Sequence, residues 1–599
     1  MSSTFSSTLR TIFWIAFALS LALLWDAWRR DHGLTATFFP QADEVLSTPA
    51  ASTLTTASVN TATHANQSVA QPADLSVPTL SNPTPAPTST TTPAIPPSVE
   101  KIEPRITARN DVMSLTFSLQ GGTLVGNTLF THHDDQKPPQ TIHLLTQEGG
   151  HTYIAQSGLI GPTDLSLSLN WPTHKTDMTW VPGPLVLEPG QQELRVQFRS
   201  PPSSPIQLTK TYVLVPGQYR IRVEHTVSYV AHSSPLSSTS APSLRPSLYL
   251  QLVRDGSKSA EHSSVYSTFT GPAIYTDSRK YQKIEFADID AQKVEIPETS
   301  TGGYVAMVQH YFLSSWWLPA SQVVRPFVRK LDNNLYATGQ IADLGDLKPG
   351  QSTTIVADFY SGPQEEKVLE SLTPGLELVK DYGWLALFSK PLYWLLHAIN
   401  QLVHNWGWAI VLLVVLLKGA FYGLNAKAYR SMAKMKAVQP RIEALRSRYK
   451  DKPAQLQQEM LRIYREEKVS PLGGCLPIVI QIPVFIALYW VLLASVETRH
   501  APWMGWIHDL SAPDPYYILP VLMALSSLAQ TALNPAPADP MQAKLMWIMP
   551  LAFSVMFFFF PSGLVLYWVT NNVLSIAQQW FINQRFGLGV TTKTERRKH

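Results

Sequence analysis

One cysteine, Cys475, occurs in 599 residues. A single thiol excludes an intramolecular disulfide and any multi-cysteine metal site, and it is compatible with either redox compartment. Net charge is also small, +4 at neutral pH, so it gives no sign of a nucleic-acid partner. Residues 33–100 lack the apolar side chains a core needs. They read STPAASTLTTASVNTATHANQSVAQP and later SNPTPAPTSTTTPAIPPS, which predicts a flexible, partly polyproline-like linker. Carboxylates are missing from all five long apolar stretches of the C-terminal half. That weighs against a proton relay or a cation pump.

What is present differs sharply between the halves. Residues 1–370 are mostly polar, and 384–586 are dominated by apolar and aromatic side chains. Thr11–Trp25 is an apolar run after Arg10, read as an uncleaved anchor extending to Trp28 within residues 1–32. From Lys101 to about Gly362 the hydrophobic period is two. Over Tyr219–Tyr229 the residues Tyr219, Ile221, Val223, His225, Val227 and Tyr229 share one face, and Pro216-Gly217 joins this strand to Leu208–Val215 as a hairpin. Similar runs at Val112–Ser118, Glu193–Phe198, Leu248–Val253 and Thr353–Tyr360 predict a large antiparallel sandwich over 101–383. His225 is expected as a satisfied core histidine. The aromatic stretch Gly302–Pro319 is expected in the core rather than on a surface. Residues 384–405 carry apolar side chains at helical spacing, which predicts a helix lying in the membrane surface with Pro391 in its first turn.

Trp406–Asn425 is about the length that spans a hydrocarbon core, and it holds Lys418. A cation near the centre of such a helix costs about 2.5–3.5 kcal/mol on insertion scales. Two readings stand here: the ammonium snorkels to the interface, or it faces a hydrated cavity and meets an anionic group. Residues 426–470 carry twelve basic side chains against five acidic ones, a positive-inside signal for a cytoplasmic loop. Asp451-Lys452-Pro453 divides it into a helical hairpin, with Pro440 as a kink. Further spans are predicted at 471–494, 516–533, 541–560 and 564–581. Between them lie an outer loop, 495–515, and an inner loop, 534–540; a basic cytoplasmic tail follows over 582–599. With the anchor this makes six spans, both termini inside and residues 33–383 outside. Gln481, Ser527, Gln530 and Thr531 are polar groups within the spans. Tyr567, Asn571, Ser575 and Gln578 share one face of the last. Singly these are ordinary interhelical hydrogen bonds; together they favour a shared hydrated interior.

The runs LLKGAFYGLNAKAYRSMAKMKAVQPRI, EEKVSPLGGCLPIVIQIPVFIALYWVL, WIHDLSAPDPYYILP and FPSGLVLYWVTNNVLSIAQQ resemble the YidC/Oxa family of bacterial membrane-protein insertases, over essentially the whole chain. The resemblance implies a multi-span α-helical membrane protein with six transmembrane helices. Five of these form a core around a hydrophilic groove open to cytoplasm and lipid and closed to the outside. It also implies an all-β periplasmic supersandwich, similar to sugar mutarotases but without known catalysis. The family's positively charged groove residue falls on Lys418, where relatives usually carry arginine, with proline where this chain has Gly423. A lysine keeps the charge and loses the guanidinium fork. Gln481, Phe485, Tyr567 and Trp568 match groove-side or client-facing positions, and Ser527, Gln530, Asn571 and Ser575 complete the expected client groove. Met432, Met435, Arg441 and Met460 are the expected client or ribosome contacts of the hairpin. The implied partners are nascent membrane-protein clients, the Sec translocon (SecYEG with SecDF), the ribosome and membrane lipids. No enzyme activity, cofactor, metal or sequence-specific nucleic-acid recognition is expected. A transporter or channel using the same polar interior is the alternative, followed by an outer carbohydrate-modifying enzyme on a membrane anchor.

Overall fold

The computed structural model describes residues 77–78, 104–134, 139–162, 170–230, 242–257, 268–331, 334–449, 452–467, 476–534 and 540–585. The chain divides at Asp74 and Leu75 into two units, and every described residue falls in the second. The anchor, nearly all of the linker and the tail beyond 585 lie outside the described residues.

Eighteen strands, among the described residues, form two nine-stranded antiparallel sheets. The first sheet runs, in spatial order, Arg105–Arg109 (β1), Met113–Ser118 (β2), Thr123–His133 (β3), Thr141–Glu148 (β4), His151–Ile160 (β5), Ser247–Asp255 (β10), Leu335–Asp343 (β17), Val323–Lys330 (β16) and Ser300–Thr301 (β13). The second runs Lys280–Lys283 (β12), Gly271–Thr276 (β11), Tyr304–Val308 (β14), Phe312–Trp317 (β15), Ser352–Pro363 (β18), Arg220–Tyr229 (β9), Ile206–Leu214 (β8), Leu194–Arg199 (β7) and Thr179–Val181 (β6). The alternation predicted around Tyr219–Tyr229 is met in β9: Ile221, Val223, His225 and Val227 are buried while Arg222 is exposed. Its hairpin to β8 pairs Leu214 with Ile221, and the turn needs a left-handed residue, which Gly217 supplies at φ +67°. Facing side chains of the two sheets make the core. Phe117 of β2 meets Tyr212 of β8 across the sheets at 4.8 Å between ring centroids, and within the second sheet Trp316 meets Phe359, its partner across β15 and β18, at 4.5 Å. The aromatic stretch Gly302–Pro319 becomes β14 and β15, with Tyr304, Phe312, Trp316 and Trp317 buried as expected.

The helices follow: α1 (Phe286–Asp290), α2 (Glu366–Leu372), α3 (Ala386–Val403), α4 (Trp406–Ala420), α5 (Tyr422–Arg448), α6 (Pro453–Glu466), α7 (Leu476–Ala494), α8 (Ile518–Leu533), α9 (Pro540–Met556) and α10 (Ser562–Arg585). The surface helix begins at Ala386, so Pro391 lies inside α3 and not in its first turn. α3 buries Leu392, Tyr393, Leu396 and Ile399 against the helical core and leaves Leu387, Trp394 and Leu402 exposed. The Asn405 side chain caps α4 by accepting from the Trp408 amide at 3.0 Å. The run expected as one straight helix over 406–425 breaks at Phe421, and α5 leaves at 69° to α4. Gly419 and Gly423, poor helix formers, flank the break. α5 then continues through Pro440, the residue read as a kink. Among the described residues no single helix is long and apolar enough to cross a membrane; α4 and α5 meet that test only as a bent pair.

The β domain meets the helices through the loop after α7. Lys380, fully buried, donates to both carboxylate oxygens of Glu497 at 3.1 and 3.2 Å, and its ammonium lies 4.2 Å from the Tyr393 ring centroid. The Tyr393 hydroxyl donates to the same carboxylate at 2.6 Å. His310 Nε2 donates to the Leu493 carbonyl at 3.0 Å.

Candidate functional site

The break at Phe421 decides the surroundings of Lys418. A charge expected deep in a long span sits instead in the last turn of a fifteen-residue helix, where the negative end of the helix dipole favours a cation by about 0.3–1 kcal/mol. The Lys418 ammonium donates to Ser575 Oγ at 2.7 Å and to Gln481 Oε1 at 3.4 Å. Gln481 Nε2 donates in turn to Asn571 Oδ1 and to the Tyr567 hydroxyl, the latter at 3.4 Å. Ser575 Oγ donates back to the Asn571 carbonyl at 2.6 Å. Three helices therefore converge: α4 brings the cation, α7 the amide, and α10 the residues at positions i, i+4 and i+8 of one face.

Beside this network lies an open cleft, about 380 Å³ counting the solvent at its mouth, lined by Val414, Leu417, Lys418, Phe421, Asn425, Gln481, Val484, Tyr567 and Asn571. An ammonium has three donors, and the two bonds of Lys418 leave one for an acceptor entering the cleft. Behind the lining, Phe485 stacks on Tyr567 and meets Trp568 edge-on at 4.6 Å between centroids.

The expected groove residues do not all come together. Lys418, Gln481, Tyr567, Asn571 and Ser575 share the network, and Phe485 and Trp568 flank it. Ser527 accepts from Asn572 Nδ2 at 2.9 Å, and Ser526 does so at 3.1 Å, so Ser527 serves the α8–α10 contact. Gln530 is half-buried outside the cleft lining. Asn425, not among the expected site residues, lines the cleft and donates to Gln578 at 3.3 Å. The spacing of seven from Lys418 gives no shared face here, because the break at Phe421 puts the two residues on different helices.

In the hairpin, Met432 is buried with Ala426, Tyr429 and Ile582. Met435 and Met460 pack around Val438 and Ile442, between α5 and α6. Arg441 is exposed and pairs with Glu467 at 2.5 Å. At the other end, the loop 495–515 packs over the helix ends. Asp514 accepts from the amides of Tyr516 and Leu519 at 3.0 and 2.7 Å and from the Trp506 indole at 3.0 Å. The Gly563 amide donates to the Leu510 carbonyl at 2.9 Å. Among the described residues no group of three His, Cys, Asp or Glu side chains is placed to hold a metal ion.

Two family models match almost the whole described chain: the YidC periplasmic domain over residues 105–395 and the 60Kd inner membrane protein over 398–588. A Cupriavidus necator protein named membrane protein insertase YidC is 47% identical over 97% of this chain and 98% of its own length. This chain belongs to the YidC family. A Burkholderia multivorans family member of the same name is 45% identical over 98% of this chain and 99% of its own length. A crystal structure of an active YidC insertase with its first transmembrane domain resolved aligns at 19% identity and a TM-score of 0.36, covering 80% of this chain and 92% of that one. The boundary between the two family models falls inside α3. The YidC periplasmic domain is thus the two-sheet sandwich with α1, α2 and the start of α3, and the inner-membrane model takes α4 to α10. The protein is accordingly an inner-membrane protein with a periplasmic β domain and a helical C-terminal region.

Proposed function

We propose that the protein is a non-enzymatic membrane-protein insertase whose client groove is the cleft beside Lys418. The observation that carries this reading is a cation held by rotatable side-chain partners, Ser575 and Gln481, at the wall of this open cleft. The proposed topology has six spans, with the anchor 1–32 first, both termini in the cytoplasm and the hairpin at the cytoplasmic mouth of the groove. A client docks on the hairpin, where exposed Arg441 is the first contact, and its short outer segment enters the groove. Lys418 offsets part of the desolvation of acidic residues in that segment. The apolar helix of the client then passes along Phe485 and the exposed apolar face of α9, with Met549, Phe553 and Met556, into lipid. Apolar transfer supplies most of the driving force. A potential positive outside adds about 2.3 kcal/mol per outward-moving negative charge per 100 mV. The loop packed over the helix ends, with its own Asp514 buried, disfavours a channel. The proposed partners are nascent clients, the ribosome, lipids and the Sec translocon.

The test is insertion of a one- or two-span client with acidic outer residues in cells depleted of the native insertase. Lys418→Ala is expected to lower insertion of the acidic client tenfold or more (about 1.4 kcal/mol) and to spare a client with neutral outer residues. Lys418→Arg is expected to retain function. Normal insertion of the acidic client by Lys418→Ala removes Lys418 from the mechanism.

A further inference from the structure

The outer face of the first sheet, turned away from the sandwich core, is also covered. Every residue of β10 from Ser247 to Arg254 is buried, so both faces of this central strand are withdrawn from water. Tyr249 forms the floor of the outer face. Its hydroxyl is pinned by the His174 amide at 2.9 Å and His174 Nδ1 at 2.7 Å. Two glycines make room for rings lying flat on the sheet. Gly158 is paired with Tyr249 across β5 and β10, and a Cβ there would stand 2.5 Å from the tyrosine oxygen. Gly339 is paired with Phe327 across β17 and β16, and a Cβ there would stand 2.5 Å from that ring.

On this floor sit two residues from the middle of the Ser/Thr/Pro-rich linker. Val77 packs against the cluster of Ile160, Tyr249 and Ile341, as Phe327 does beside it, and Pro78 is buried. Arg329, its guanidinium 5.2 Å above the Phe327 ring, donates from Nη1 to the Val77 carbonyl at 3.3 Å. An apolar bed with a donor aimed at a backbone carbonyl suits an extended Xaa-Pro peptide, because proline biases its predecessor to extended backbone and has already surrendered conformational entropy.

We propose that this face is a peptide-docking site and that its occupant is the protein's own linker at Val77–Pro78. The linker then joins the periplasmic domain at this point, far ahead of β1, and the docking sets how much chain separates the domain from the anchor. Counted from Gly33, Val77 lies 44 residues on and Arg105 lies 72 residues on. The site is independent of the insertase groove and does not depend on the role of Lys418.

The experiment uses the full-length chain in membranes with Cys475→Ser as background. Val77→Cys is combined with Phe327→Cys, a short bis-maleimide is added, and the linker is then cut at a protease site inserted between Thr90 and Thr91. Docking predicts that most anchor fragments remain covalently attached to the domain. A Val69→Cys control is expected to give at least fivefold less, and Arg329→Ala to lower the Val77 yield severalfold. Equal yields from positions 69 and 77, or products joining two chains, overturn the assignment. In the unsubstituted protein, thermolysin is expected to cut at Leu80, beside the docked pair, at least fivefold more slowly than at Leu54, Val59 and Val69. Equal rates overturn the proposal without any mutation.

Discussion

Lys210 in the β domain is fully buried and Lys418 in the helical core is half-buried, and their surroundings are opposite in kind. Lys210, fully buried on β8, donates to the Gly121 and Ser157 carbonyls at 2.6 and 2.7 Å. These acceptors are main chain, one at the start of a turn and one in β5, and neither can rotate away. Its cross-strand neighbour His225 bonds Ser157 Oγ through Nε2 at 3.0 Å. Burial pushes the Lys210 ammonium down to about 7 and, with help from the charge of Lys210, the His225 imidazole down to about 3. Lys418 bonds a hydroxyl and an amide, both on rotatable side chains, and borders a cleft. A buried cation locked to backbone belongs to the architecture; one held by movable partners beside open space can exchange them for a ligand. Burial alone therefore does not mark the site.

Lys380 extends the comparison, since its partner is a carboxylate. It joins the end of the β domain to the loop after α7 through Glu497, with Tyr393 of α3 completing the group. Removing one member strands a buried charge, which typically costs 3–5 kcal/mol. Glu497→Gln is expected to lower stability by roughly that amount, the largest of these effects, read as thermal unfolding of the full chain in nanodiscs. A double variant with Lys380→Met is expected to recover much of the loss, because the orphaned ammonium is gone. A single-variant cost under about 1 kcal/mol would show that water reaches the pair and that Lys380 is not comparable to the other two lysines.

Lys210 offers the next test. Its folded-state pKa of about 7 lies below the ordinary 10.5. Between these values the unfolded chain binds more protons than the folded one, so stability rises with pH across that window. Below about pH 7 both states are protonated and the cost of the buried charge is present in full. Above pH 10.5 it is relieved. The rise is on the order of a few kcal/mol, from about 1.4 kcal/mol per pKa unit. Lys210→Met is expected to flatten the pH profile of β-domain unfolding and to leave insertion at neutral pH near wild type. A profile equally steep in the variant would assign the slope to other groups.

These contrasts also mark what was legible in the amino-acid pattern. The period-two strands, the Pro216-Gly217 hairpin and the core placement of Tyr304, Phe312, Trp316 and Trp317 followed from local signals. So did the spacing that sets Tyr567, Asn571 and Ser575 on one helix face. The break at Phe421 was hidden because hydropathy runs smoothly through Gly419 and Gly423, and apolar spans tolerate glycine. Adjacent Asn571 and Asn572 look alike in sequence, yet one faces Gln481 and the other holds Ser526 and Ser527. The pairing of Lys380 with Glu497 spans 117 residues, and only the docking of the two regions creates it. The linker's composition concealed the half-buried Val77 and the buried Pro78 for the same reason.

Arg441 provides the smallest expected stability effect and the cleanest separation of fold from function. Its pair with Glu467 joins α5 to α6 with side chains 67% and 40% exposed. Exposed pairs contribute about 0–1 kcal/mol because both partners are well hydrated when apart. Arg441→Ala is therefore expected to shift stability by less than about 0.5 kcal/mol. Its proposed contact with an incoming client is a rim charge, which acts on association rate and salt dependence more than on final affinity. The expected insertion defect is about twofold at low ionic strength and vanishes as salt screens the wild-type attraction. The neutral-client control that spares Lys418→Ala should respond equally here, since docking precedes entry of the acidic segment. A defect confined to acidic clients, or one independent of salt, would move Arg441 from the mouth of the groove to its interior, beside Lys418.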